Sequence, residues 1–232
     1  MIYAFNFTCG RDLRLSKLMT RTLKKYCPNL GAVESYNTDG VLFKGQPYGN
    51  GAGFEPSCMK LDYLCQMVKK YSPTDQDYIL SVDSDVVFCS SEVFTYIHTY
   101  GIIGIENGGA PTNTFLGHMR HCSGASIYIR GDIAKKMCAI SEDELGTVRQ
   151  QFKMYTLAEN EDIVLSYLAK KVGATHFPLP NRLCEGDLDH DYHNGTLSSY
   201  YHINFGHRTF MGVPNIAKWD VPQVLSDKGI EL

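Results

Sequence analysis

The chain has 232 residues, 44% of them hydrophobic and 20% charged, with a formal net charge of −3. That length supports a single domain over 1–232 with a sizeable core, and the composition is that of a globular protein. The slightly acidic balance excludes a basic footprint for nucleic acid or a polybasic membrane patch, and no apolar run approaches the ~20 residues of a transmembrane helix.

The opening "IYAFNF" predicts a strand, without the basic lead or cleavage site of a signal peptide. The loop "FTCGRD" follows, and then a helix over 13–26 with Leu15, Leu18, Met19 and Leu23 on one face. "GAVESYN" reads as a second strand and "GQPYGNGAGFEP", 45–56, as a Gly/Pro-rich loop. Ser57 is placed to cap the next helix, on which Leu61, Leu64, Val68 and Tyr71 recur at helical spacing. "YILSV" is a buried strand, "EVFTYI" is helical, and "GIIGI" and "ASIYIR" are strands. Helices are expected over 132–140 and 161–172, and "ATHFPL" is a late strand. Strands alternating with helices imply an α/β domain with a mostly parallel sheet, whose ligands bind beyond the carboxyl ends of strands. Stretches 106–123 and 181–200 read as loops, and "ENGGAP", 106–111, as a lid.

Cysteines stand at 9, 27, 58, 65, 89, 122, 138 and 184 with no C-x-x-C pair, so a structural zinc site is not expected. Most lie in apolar patterns, Cys65 and Cys138 on helices, which reads as buried free thiols in a reducing cytosol, a cytoplasmic placement. Asn6 and Asn194 begin Asn-x-Thr sequons that matter only in a secretory setting.

The chemistry centres on "ILSVDSDVVF", 79–88. Asp83 and Asp85 follow an apolar strand, and side chains at i and i+2 of an extended segment point the same way. Two adjacent carboxylates repel, and a divalent cation relieves that; oxygen ligands suit Mn²⁺ or Mg²⁺. Asp-Ser-Asp in a plain turn is the alternative. Glu161 and Asp162 open a helix, where acids complement the helix dipole whether or not they do chemistry. "DLDHDYHNG", 187–195, offers Asp189, His190, Asp191 and His193 as a second set of ligands or as an exposed loop.

On these residues the chain resembles GT-A-fold glycosyltransferases, which move a sugar from a nucleotide diphosphate. "DYILSVDSDVVF" resembles their D-x-D segment. "CSGASIYIRGDIAKKM", 122–137, and "NEDIVLSYLAKKVG", 160–173, resemble segments of the beta-1,3-galactosyltransferase-like and Fringe-like group. "YYHINFGH", 200–207, resembles a late histidine segment of several GT-A families. The resemblance implies a GT-A, Rossmann-like sheet and a metal-dependent hexosyltransferase using a UDP-sugar and a hydroxyl acceptor on a glycan, protein or small molecule. It implies metal ligands at Asp83, Asp85 and His207, with His202 as the second choice. It implies Asp162 as the base where the transfer inverts, whereas a retaining transfer would need no such base, and it implies donor contacts at Phe7, Thr8, Lys60, Ser84, Gly124, Ala125 and Glu161. Packing explains Phe7, Thr8, Gly124 and Ala125 as well, and a solvated helix face explains Lys60. The rival readings are a haloacid-dehalogenase-type phosphatase, with Asp83 as nucleophile and Asp85 as acid/base, and a non-catalytic sugar-binding module using some of the fifteen tyrosines.

Overall fold

A computed structural model of the chain describes residues 1–8, 13–47, 53–97, 100–107, 121–155, 159, 161–179, 200–202, 209–210 and 213–214. Ile2–Thr8 forms β1, buried along nearly its whole length. Leu13–Tyr26 is α1, and Leu30–Asn37 is β2, parallel to β1. A small hairpin, β3 (Leu42–Phe43) and β4 (Gln46–Pro47), precedes α2, Phe54–Tyr71. Then come β5 (Tyr78–Val82), β6 (Val86–Phe88), the short α3 (Glu92–Thr95), β7 (Ile102–Asn107) and β8 (His121–Arg130). Helices α4 (Gly131–Cys138), α5 (Glu142–Met154) and α6 (Glu161–Lys171) lead to β9, His176–Leu179. The short strands β10 (Tyr200–His202), β11 (Thr209–Phe210) and β12 (Val213–Pro214) end the described chain.

The main sheet has the order β2-β1-β5-β8-β7-β9. Strands β2, β1 and β5 are mutually parallel, β8 is antiparallel to both β5 and β7, and β9 is parallel to β7. Five strands thus run one way and β8 alone is reversed, so the sheet is mixed but mostly parallel, as expected. Successive side chains of each strand face opposite sides. Phe5, Ile79, Ile127 and Ile129 pack on one side with residues of α2, α4, α5 and α6. Ala4, Leu80, Ile103 and Tyr128 pack on the other with residues of α1, β6 and α3. The central strands are thus covered on both faces, which explains why β5 and the second half of β8 read as mostly apolar runs, while the edge strand β2 has no buried residue.

Several expectations are corrected. Helix α2 starts at Phe54, not after Ser57; the chain turns into it at Gly53, whose φ of 104° disfavours any side chain. The stretch 45–56 is therefore not all loop, and β7 and β8 reach into 106–123 from both ends. Helix α5 has no counterpart in the sequence reading, although Ser141 and Glu144 form a full capping box at its start. Cys65 and Cys138 are joined as a disulfide between α2 and α4, so they are not free thiols. That pair removes the cysteine argument for a reducing cytosol, because disulfides persist in oxidising surroundings. Cys27, Cys58, Cys89 and Cys122 are buried thiols outside that disulfide. Burial pushes the thiols of Cys27 and Cys58 up, to about 11 and about 12, so both stay protonated at neutral pH.

A polar network crosses the core beneath β1 and β2. Asn6 Nδ2 donates to Ser16 Oγ at 2.8 Å, and Ser35 Oγ donates to Asn6 Oδ1 at 2.7 Å. Asn6 is fully buried, so its sequon is closed to a glycan once the chain has folded. Asn194 lies outside the described residues.

Two predictions follow from these contacts. The disulfide closes a sequence separation of 73 residues. Replacing both cysteines by alanine is expected to cost about 2–4 kcal/mol, read from urea unfolding under non-reducing conditions. Arg130 grips Asp132 with Nε–Oδ1 at 2.5 Å and Nη2–Oδ2 at 2.8 Å, and that hydrogen bonding holds the carboxyl below its ordinary range. A carboxyl depressed in the folded state stabilises above its unfolded pKa of about 3.9, and that contribution fades as pH falls through the folded value. Asp132→Asn should therefore lower stability at pH 7 and flatten its decline at acid pH, measured by melting temperature against pH.

Candidate active site

The parallel strands β1, β2 and β5 end on one edge of the sheet, and the reversed β8 enters from that edge. Ligands of open α/β sheets bind beyond such an edge. Val82 pairs with Ser126, and the ladder continues one step further, with Asp83 N–H donating to Ala125 O at 2.9 Å. Asp83, Ser84 and Asp85 then form a half-buried turn, closed by Val86 N–H donating to Asp83 O at 3.3 Å. The D-x-D pair is therefore at a strand end, next to the Gly124–Ala125 step of β8.

Two helices deliver charged groups to this turn. Lys60, on α2, is 1% exposed, and its Nζ donates to Asp83 Oδ1 at 3.1 Å. The same ammonium lies 3.4 Å from Glu161 Oε1 on α6. The ammonium-bearing side chain is 2% exposed, against 27% for Asp83 and 16% for Glu161. An ammonium taken out of water needs such partners, since removing one member of a buried pair costs about 3–5 kcal/mol. Lys60 is thus not a solvated helix lysine. Its neighbour in the first turn of α6, Asp162, accepts from Ile163 N–H at 2.8 Å. Gly124 is in contact distance of both acids: a Cβ placed on it would sit 3.5 Å from Asp162 Cβ and 3.8 Å from Glu161 Oε1.

The entry to α6 is lashed to the start of α2. Helix α2 has no side-chain cap of its own, and Phe54 N–H donates instead to Glu159 Oε2 at 3.1 Å. Ser57 Oγ lies 2.9 Å from Gly53 O and 2.5 Å from Glu159 O. Ser57 therefore works inside the first turn rather than as the cap, and a carboxylate 105 positions away does the capping. Neither Glu159 nor this role of Ser57 carries a sequence signal, because capping patterns are local and this contact is not.

Strand β10 pairs antiparallel with β6 and sets His202 opposite Val86, the residue after Asp85. The late histidine segment thus starts beside the D-x-D turn. His207 and the ligand-rich 187–195 lie outside the described residues, as do Asn160 and most of 106–111. Among the described residues no group of three or more His, Cys, Asp or Glu side chains is arranged to hold a metal. Phe7 and Thr8, at the end of β1, are 8% and 6% exposed. The Phe7 ring packs on Tyr63 at 5.0 Å between centroids, and Tyr63 on Tyr36 at 4.0 Å. Core packing accounts for Phe7 without a ligand.

No protein-family model matches the sequence, and no curated protein does. Solved structures match in fold. The galactosyltransferase LgtC, solved with donor and acceptor sugar analogues, superposes with a TM-score of 0.58 at 10% identity, over 99% of this chain and 95% of that one. A glycosyltransferase involved in glycosylating the major capsid of PBCV-1 gives 0.52 at 9% identity, over 89% and 94%. Mouse xyloside xylosyltransferase 1 gives 0.51 at 9%, over 88% and 98%. The fold is that of GT-A glycosyltransferases. Within the GT-A fold, Asp83, Ser84, Asp85, Lys60, Gly124, Ala125, Glu161 and Asp162 come together at one edge, from four separate parts of the chain. Among the described residues no helix is long and apolar enough to cross a membrane.

The Glu159 cap has a measurable consequence. Glu159→Ala should cost about 1 kcal/mol of stability, the usual worth of a lost N-cap, read from urea unfolding.

Proposed function

We propose that the chain is a divalent-metal-dependent glycosyltransferase that moves a hexose from a UDP-sugar to a hydroxyl acceptor. The observation that supports this most is the convergence of Asp83 and Asp85, Lys60, and Glu161 and Asp162 at the carboxyl edge of a GT-A sheet. The segments like the beta-1,3-galactosyltransferase and Fringe-like group lie on β8, α4 and α6, and of these β8 and α6 frame this edge. The phosphatase reading places the paired aspartates in another fold, and no observation favours a binding-only module.

The residues present fit Mn²⁺ or Mg²⁺. Two half-buried carboxylates on a turn are hard oxygen donors, and a Mg²⁺-like ion commonly completes its coordination with water and substrate phosphate rather than an all-protein cage. Asp83 and Asp85 would hold the ion, with a histidine of the 200–207 segment as a third ligand. His207 is the first choice for that place and His202, paired with Val86 in the β10–β6 register, the second. Held by those residues, such a cation would supply positive charge to neutralise a departing diphosphate.

The other side chains bind and orient. Lys60 adds positive charge beside the diphosphate, and Ser84 lies between the two ligands. Gly124 and Ala125 leave room for the sugar ring, and Glu161 faces it from α6. Phe7 and Thr8 line the floor on the nucleoside side. Asp162 takes the proton of the acceptor hydroxyl as that oxygen attacks the anomeric carbon from the face opposite the diphosphate. The new carbon–oxygen bond forms as the bond to phosphate breaks, which inverts the anomeric centre. A general base of this kind contributes about 10²–10⁴-fold.

UDP with Mn²⁺ is expected to raise the melting temperature of the wild type, because a ligand of the folded state alone stabilises it. Asp85→Asn should lose that shift while keeping its fold by circular dichroism; an undiminished shift refutes the metal assignment. Asp162→Asn should keep the shift and lose transfer by about 100-fold or more; ordinary turnover would return Asp162 to a helix-capping role. Gly124→Ala meets only ordinary contacts in the free protein. It should fold normally and weaken UDP-sugar binding more than UDP binding, as measured by calorimetry.

A further inference from the structure

We propose that Lys60 is a resident countercharge that weakens the hold of the bare carboxylates on a divalent cation, so that cation and diphosphate bind as a pair. The inference rests on the donor-site reading above and adds a determinant of how that site loads.

The geometry sets two opposing effects on one group. Lys60 Nζ donates to Asp83 Oδ1 at 3.1 Å, and Asp83 is one of the paired aspartates. The lysine side chain is 2% exposed, so little water screens its charge. A divalent cation approaching Asp83 alone meets a positive neighbour that already occupies one oxygen of the carboxylate. A diphosphate approaching with the cation is attracted by both. The same ammonium therefore opposes the first event and favours the second.

The second contact, to Glu161 Oε1 at 3.4 Å, gives Lys60 a positioning duty in the absence of ligand. It spans carboxylates from the turn after β5 and from α6 that would otherwise repel, and holds those two elements together at the edge. A lysine serving only packing would not place its ammonium between two partly exposed acids at the ligand edge.

The test is a Mn²⁺ titration of the wild type, Lys60→Met and Lys60→Arg, with free Mn²⁺ read by electron paramagnetic resonance, with and without UDP. Lys60→Met should bind Mn²⁺ alone about tenfold more tightly than the wild type, and UDP should tighten Mn²⁺ binding less than it does in the wild type. Lys60→Arg keeps the charge and should behave as the wild type. Mn²⁺ affinity that is unchanged or weaker in a folded Lys60→Met overturns the proposal. A wild type that binds Mn²⁺ neither alone nor with UDP overturns the donor-site reading as well, which separates the two failures. Inorganic pyrophosphate needs no variant: it must tighten Mn²⁺ binding to the wild type, and no effect overturns the proposal even where Lys60→Met fails to fold.

Discussion

A lysine ammonium with almost no solvent around it lies 3.1 Å from one carboxylate and 3.4 Å from another. The three side chains come from α2, from the turn after β5 and from the first turn of α6. No element could shift far without leaving a charge buried and unpaired, at a cost of about 3–5 kcal/mol. That constraint fixes the spacing of the paired aspartates and the Glu-Asp pair, and so the geometry on which any chemistry at this edge depends.

The rest of the scaffold reinforces the same spacing. Glu159 caps α2 and, with Ser57, ties the entry of α6 to it. Asp83 N–H bonds to Ala125 O, which fixes the turn against β8. Acids at the start of α6 also lie where the helix dipole favours negative charge. The disulfide joins α2 to α4 on the far side of the same layer. Helix α2 is thus the common member: it carries Ser57 and Lys60 toward the edge and Cys65 away from it.

The main strands and most helices were legible in the sequence because burial writes them there. β5, buried at each of its five positions, reads as an apolar run with a single serine, and α1 shows its apolar face at helical spacing. Helix α5 carries a local capping signal in Ser141 and Glu144, but Val148 and Phe152 are its only buried residues, too few to mark an apolar face at helical spacing. The start of α2 was misplaced because its cap comes from Glu159, far away in sequence. Cys65 and Cys138 looked like helix-core thiols, and nothing local distinguishes a buried thiol from one facing a partner on another helix.

The sequence by itself determined which residues carry reactive groups: twin aspartates at a strand end, an acidic helix start and small residues at 124 and 125. Those are local facts, set by chain order, apolar periodicity and residue chemistry. Only the tertiary structure decided that they meet, that β8 runs reversed beside β5, and that Lys60 is buried between Asp83 and Glu161 rather than solvated. Charge pairing across 23 and 101 positions of sequence depends on how helices dock on a sheet, and no local pattern encodes that docking.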